Sequence, residues 1–215
     1  MRALNLPVIH AVTSDAVIAR QGFLERAERL MRTLGARGAV QVRAPAASAE
    51  RLIAVASALA ALQEETGAWV VVTDRVDAAL ASNARGVQLT GASMDVRTAR
   101  RIAPALAVGA SIHARDQGLA AARDGAAWGV IAHVLTPPPG RAPRTPMALL
   151  GHELAGLTDL PLVAIGGIAP QHVAPLRALG FHGVAVIRGL WDRDDTERAA
   201  EEYLSAYAGS ADAAP

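Results

Sequence analysis

Three stretches of this chain combine residue types that can hold an anion or move a proton. Gly166-Gly167 follows the apolar run Leu162-Val163-Ala164-Ile165, and Pro170 stands three residues on. Glycines leave backbone N–H groups accessible and proline suits the first turn of a helix, so the turn and the helix after it can converge on a phosphate. A second run ends Val186-Ile187-Arg188-Gly189, where a guanidinium adds a charged fork of donors. The alternative is that these glycines only permit tight turns and Arg188 faces solvent. His133 comes late in Gly129-Val130-Ile131-Ala132-His133-Val134. With an ordinary pKa of roughly 6.5, an imidazole both gives and takes a proton near neutrality, which suits acid/base work. The other reading is a core histidine bonded to a carbonyl. His113, just after Ser111, carries the same choice or merely closes its strand. His10 begins its run too early to reach a strand end, and His152, His172 and His182 fall in helices or turns, so these four read as structural or exposed.

Acidic groups at strand ends could hold Mg²⁺. Asp74 is placed for this, but the matching end of the next run reads Gln88-Leu89-Thr90-Gly91-Ala92-Ser93, without a carboxylate. A lone carboxylate is a poor site, so no metal is expected. Asp74 reads as a cap or loop acceptor, and Asp77 as turned outward or paired with an arginine.

Composition narrows the classes. The 215 residues are 52% hydrophobic, ample for a sizeable core. Lysine plus arginine number 21 against 20 acidic residues, a net charge of +1 with no long run of either sign, so nothing favours nucleic acid. Cysteine is absent, which excludes disulfides and thiol nucleophiles. Every basic residue is arginine, which removes both the Schiff-base amine and the ammonium that often holds phosphate. The start, Met1 to Pro7, lacks the features of a signal peptide, and every apolar run breaks well before about 18 residues, so the chain is expected in the cytoplasm with no membrane partner.

The elements that must position these groups alternate. Short β-branched runs, Val8–Thr13, Ala39–Arg43, Trp69–Asp74, Gly86–Thr90, Ala107–His113, Trp128–Val134, Leu162–Gly166 and Gly183–Ile187, read as eight buried strands. Amphipathic segments lie between them, at Gly22–Leu34, Ala49–Glu65, Val96–Ala103, Arg115–Arg123 and Pro170–Leu179, with a last helix over Thr196–Tyr207. Ser48 and Asp95 suit N-caps, and Gly35, Gly125 and Gly180 suit helix stops. Eight β/α units without a composition break predict a single (β/α)₈ barrel over residues 1–208, with a doubly wound open sheet as the alternative and 209–215 as a disordered tail. Pro137-Pro138-Pro139-Gly140 is expected in a loop. In such a barrel chemistry sits at the C-terminal strand ends, where Thr13, Asp15, Gln41, Arg43, Thr73, Asp74, Gln88, Thr90, Ser111, His113, His133, Thr136, Gly166, Gly167, Arg188 and Gly189 stand.

The ordered set Gln41-Val42-Arg43, Val72-Thr73-Asp74-Arg75-Val76-Asp77-Ala78-Ala79-Leu80, Gly86-Val87-Gln88-Leu89, Gly109-Ala110-Ser111-Ile112-His113 and Ala164-Ile165-Gly166-Gly167-Ile168 resembles the thiamine phosphate synthase/TenI superfamily, from about Val8 to Leu190. The resemblance implies a (β/α)₈ barrel acting on thiazole and thiamine phosphates. The synthase pattern Gln-x-Arg-x-Lys, which holds pyrophosphate, here reads Gln41-Val42-Arg43-Ala44-Pro45. Its Asn-Asp pair reads Thr73-Asp74, its second magnesium carboxylate aligns with Ser93, and its Thr-x-Thr-Lys loop is replaced by Thr136-Pro137-Pro138-Pro139-Gly140-Arg141. His133 stands where the synthases have proline and the thiazole tautomerases have histidine. The resemblance therefore points to the TenI-type branch: an isomerase aromatising a carboxythiazole phosphate, with His133 as general acid/base and no metal or cofactor. Gly166, Gly167, Ile187, Arg188 and Gly189 would hold the phosphate, Arg43 the carboxylate, and Gln41, Ser111 and His113 the rest of a small phosphorylated thiazole. A homodimer fits this reading. A divergent synthase, a transferase, and a non-catalytic barrel binding a phosphorylated ligand are the alternatives.

Overall fold

Eight runs of small and β-branched residues form eight parallel strands: β1 Ile9–Val12, β2 Gly38–Val42, β3 Trp69–Thr73, β4 Gly86–Leu89, β5 Ala107–Ile112, β6 Trp128–Ile131, β7 Leu162–Ile165 and β8 Gly183–Val186. The computed structural model describes residues 5–135 and 147–209. The strands pair in sequence order, and β8 returns to β1 with Ile9 opposite Val184 and Ala11 opposite Val186. That pairing makes a closed (β/α)₈ barrel and excludes the open sheet. Each strand ends one or more residues short of its apolar pattern. Thr13, Arg43, Asp74, Thr90, His113, His133, Gly166 and Ile187 have left the strands and stand in the loops of the C-terminal mouth.

Alternation along each strand sorts the side chains into two layers. Val12, Ala39, Trp69, Val71, Ala107, Trp128, Val130, Val163 and Ala185 fill the barrel interior, while Ile9, Val40, Val70, Val87, Ile112, Ile131 and Val184 face the helices. With few aromatics available, the interior is closed mainly by Trp69 and Trp128 at the N-terminal ends of β3 and β6.

The helices follow the apolar periodicity, with their ends set by local chemistry. Phe23–Leu34 buries Ala27, Leu30, Met31 and Leu34 on one face. Ser48 and Asp95 cap their helices by accepting from the N–H groups of Arg51 and Thr98. The expected segment Ala49–Glu65 breaks into Ala49–Ala60 and Gln63–Thr66. The segment after β7 is a single 3₁₀ turn, Pro170–His172, followed by the short helix Val173–Ala178. An anion at that turn therefore relies on individual N–H groups rather than on a long helix dipole. Short helices at Asp15–Ile18, Val76–Ala81 and Arg188–Trp191, and a longer one at Met147–Ala155, lay outside the periodic pattern.

The last helix runs over Thr196–Gly209, so Gly209 is helical rather than part of a tail; 210–215 lie outside the described residues, as does the proline loop at 136–141. This helix packs on Phe23–Leu34, with Arg29 and Glu197 paired between them. Among the described residues no helix is long and apolar enough to cross a membrane.

Candidate functional site

The C-terminal mouth holds a cleft of about 590 Å³ between the ends of β6, β7 and β8, lined by His133, Gly166, Gly167, Ile187, Arg188 and Gly189. Six of the residues selected from sequence thus come together. Ile165, Ile168, Ala185 and Val186 complete its wall.

The β7 turn has a glycine where the loop from β6 crosses it. Gly166 has φ 121°, and a Cβ there would stand 2.9 Å from the Cα of His133. The N–H groups of Val134 and Leu135 donate to the carbonyls of Ile165 and Gly166 at 3.2 and 3.1 Å, so the two loops are laced together. His133 itself is held in the left-handed region at φ 59°, a conformation that costs a non-glycine residue about 1–2 kcal/mol. Its ring is exposed and makes no hydrogen bond or ion pair with any described residue.

The N–H groups of Gly167, Ile168, Arg188 and Gly189 have no acceptor among the described residues. Backbone donors left free at a concave surface are anion ligands in waiting. Arg188 is exposed at the rim and has no ion-pair partner among the described residues.

Of the ten residues the sequence assigns to the ligand, the other four, Arg43, Gln41, Ser111 and His113, stand apart from this cleft. Arg43 is pinned through its backbone, its N–H donating to Thr13 Oγ1 at 2.9 Å and its carbonyl accepting from the same hydroxyl at 3.1 Å. Its exposed guanidinium is unpaired among the described residues. Gln41 is buried and donates to Thr73 Oγ1 at 3.0 Å. Ser111 accepts from Gln88 Nε2 at 3.3 Å, and Gln88 Oε1 accepts from the Trp128 indole at 2.7 Å. His113 is exposed, and its N–H donates to Gln117 Oε1 at 2.8 Å. The link from Trp128 through Gln88 to Ser111 was not visible in the sequence, because the three lie on three different strands.

Asp74 acts as the loop acceptor that the sequence suggested. At φ 64°, its Oδ1 accepts from the Thr90 N–H at 2.8 Å, from Thr90 Oγ1 at 2.7 Å and from Ser93 Oγ. Asp77 pairs with Arg75, which holds its carboxyl down to about 2. A family-type magnesium site does not fit these residues. Oδ1 of Asp74 already takes three donors, the resemblance puts Ser93 in the place of the second carboxylate, and no group of three metal-ligating side chains occurs among the described residues.

The remaining histidines are structural. His10 is fully buried inside the barrel, Nε2 on the Pro7 carbonyl at 3.2 Å and the ring tilted over Trp128 at 5.9 Å. His182 reaches the Leu6 carbonyl, His152 reaches that of Leu179, and His172 Nδ1 accepts from the Ala169 N–H at 3.0 Å.

A closed (β/α)₈ barrel with a cleft at the C-terminal ends of its strands defines a class, the TIM barrels. Within it, the chain belongs to the thiamine monophosphate synthase family, whose profile matches residues 9–190. It is 33% identical over 168 residues to a thiamine-phosphate synthase of Pyrococcus abyssi, covering 78% of this chain and 81% of that one. A thiamine-phosphate synthase of Chlorobium luteolum is 30% identical over 209 residues, 95% of each chain. Among solved structures, thiamine phosphate pyrophosphorylase from Pyrococcus furiosus superposes with a TM-score of 0.82 at 28% identity, covering 97% of this chain and 98% of that one.

These relatives correct the isomerase expectation. The relatives bear the name of a transferase, and nothing among them singles out the TenI-type branch. The expectation leaned on His133 and on the departures at Pro45, Thr73, Ser93 and 136–141, a handful of positions. Similarity spread over most of the chain outweighs them.

Proposed function

We propose that this protein is a transferase of the thiamine-phosphate synthase kind, joining a pyrimidine pyrophosphate to a thiazole phosphate with release of pyrophosphate. The observation that carries it is identity of 30–33% to curated synthases over most of the chain. The mouth supplies what two anionic substrates need. The cleft at β7 and β8 offers free N–H groups and Arg188 to one phosphate. Arg43 at the end of β2, next to β1 on the other side from β8, offers a second cation for the pyrophosphate.

In this chemistry, the bond from the pyrimidine's methylene carbon to the leaving pyrophosphate breaks as the thiazole nitrogen bonds to that same carbon. Charge grows on the departing oxygen, and a guanidinium beside it stabilises that state more than the ground state. Pro45 and Ser93 stand where the family has a lysine and a carboxylate, so arginine has to carry that share here. Gln41, fixed on Thr73, and Ser111, fixed on Gln88, are the polar groups available to a heterocycle.

The test is incubation of purified protein with both substrates, with and without Mg²⁺, following thiamine phosphate by chromatography. Product formation that falls at least tenfold in Arg43→Ala supports the assignment, in line with the roughly 1.4 kcal/mol that a tenfold change represents. Binding of the thiazole phosphate without product under any condition would replace it with the non-catalytic phosphate-binding barrel.

A further inference from the structure

The cleft is shaped by a residue from outside the barrel. We propose that Tyr203, on the last helix, is a positioning residue for the anion cleft, its hydroxyl fixing the turns after β7 and β8 so that their N–H groups face a phosphate. This rests on the reading of the cleft as a phosphate site.

Two contacts converge on one oxygen. Tyr203 is 1% exposed, and its hydroxyl donates to the Ile168 carbonyl at 2.8 Å. The N–H on the other side of that same peptide, from Ala169, donates to His172 Nδ1 at 3.0 Å. One peptide plane just beyond Gly167 is thus held at both ends, which sets the direction of the Gly167 and Ile168 N–H groups. The same hydroxyl also lies against Gly189, where an added Cβ would collide with it. Gly189 lets the turn after β8 settle onto the phenol, and both Ile168 and Gly189 line the cleft. Burial raises the phenol to about 12, so it remains a donor throughout the neutral range.

A purely structural tyrosine would lower stability and leave ligand preference alone. A positioning tyrosine changes the preference for a phosphorylated ligand. The experiment is calorimetry with thiazole phosphate and with the matching unphosphorylated thiazole alcohol, on wild type, Tyr203→Phe, Gly189→Ala and the double variant. Tyr203→Phe removes one oxygen and should weaken the phosphate ester about three- to tenfold, as expected for one lost hydrogen bond, while the alcohol changes less than about twofold.

Gly189→Ala leaves Tyr203 in place and displaces its hydroxyl, so it should give a similar selective loss even if the phenylalanine variant folds poorly. The double variant should lose less than the sum of the two, because both act through one oxygen. Unchanged preference in both single variants would overturn the role of Tyr203 alone. A wild type that binds ester and alcohol equally would overturn the anion cleft, and this inference with it.

Discussion

His10 at the base of the barrel and His133 at its mouth carry the same ring in opposite settings. Around His10 the setting is closed: the ring tilts over Trp128 and Nε2 meets the Pro7 carbonyl, while Nδ1 is sealed from solvent without a partner among the described residues. Burial pulls its pKa down to about 4, so near neutrality it is an uncharged packing element. Around His133 the backbone is strained into the left-handed region, the ring is exposed, and nearby N–H groups and Arg188 stand without partners among the described residues. Polar groups that satisfy one another build the fold, and polar groups left over at a concave mouth are those a ligand can complete. Asp74 follows the same rule within the mouth: taken up by Thr90 and Ser93, it holds a loop.

The contrast predicts that changes at the base move stability and changes at the mouth move ligand binding. The largest effect is expected for Trp128→Ala, which empties a fully buried indole site and orphans Gln88 Oε1; a loss of about 3–5 kcal/mol in urea unfolding is expected. A loss under about 1 kcal/mol would show that the interior collapses to fill the gap and that the base is less committed than it looks.

The next concerns His10 and pH. Its folded pKa lies below the ordinary value of about 6.5, so between those values the unfolded chain takes up a proton that the folded chain refuses. Stability should therefore be full above about pH 6.5 and fall as pH drops towards 4, by about 3 kcal/mol in all. His182, whose pKa burial also lowers, adds in the same direction. Unfolding curves at several pH values should be flatter over this window for His10→Gln than for wild type. Identical slopes would remove His10 as the titrating group.

The smallest effect in stability, and the sharpest at the mouth, is expected for Arg188→Ser. Affinity for thiazole phosphate should fall about tenfold, roughly 1.4 kcal/mol, with the unfolding midpoint unmoved. Equal affinity measured by calorimetry would mean that the turn N–H groups hold the phosphate unaided.

Sequence by itself determined the eight strands and the helices between them. Eight β-branched runs alternating with amphipathic segments admit few packings, and the caps at Ser48 and Asp95 follow from local hydrogen bonding that the nearest residues decide. It also brought out the six residues that share the cleft, because glycine, arginine and histidine at strand ends are signals a single position carries.

Closure itself was beyond its reach, since only the pairing of β8 with β1 separates a barrel from an open sheet. So was the fate of each polar group. Whether Asp74 Oδ1 is free depends on Thr90 and Ser93 from another loop, and the Ile168 carbonyl beside the cleft takes its hydrogen bond from Tyr203, which arrives from the last helix 35 residues beyond it. A side chain's type is local, but whether its hydrogen-bonding capacity is already spent is settled by partners that only the folded chain brings within about 3 Å.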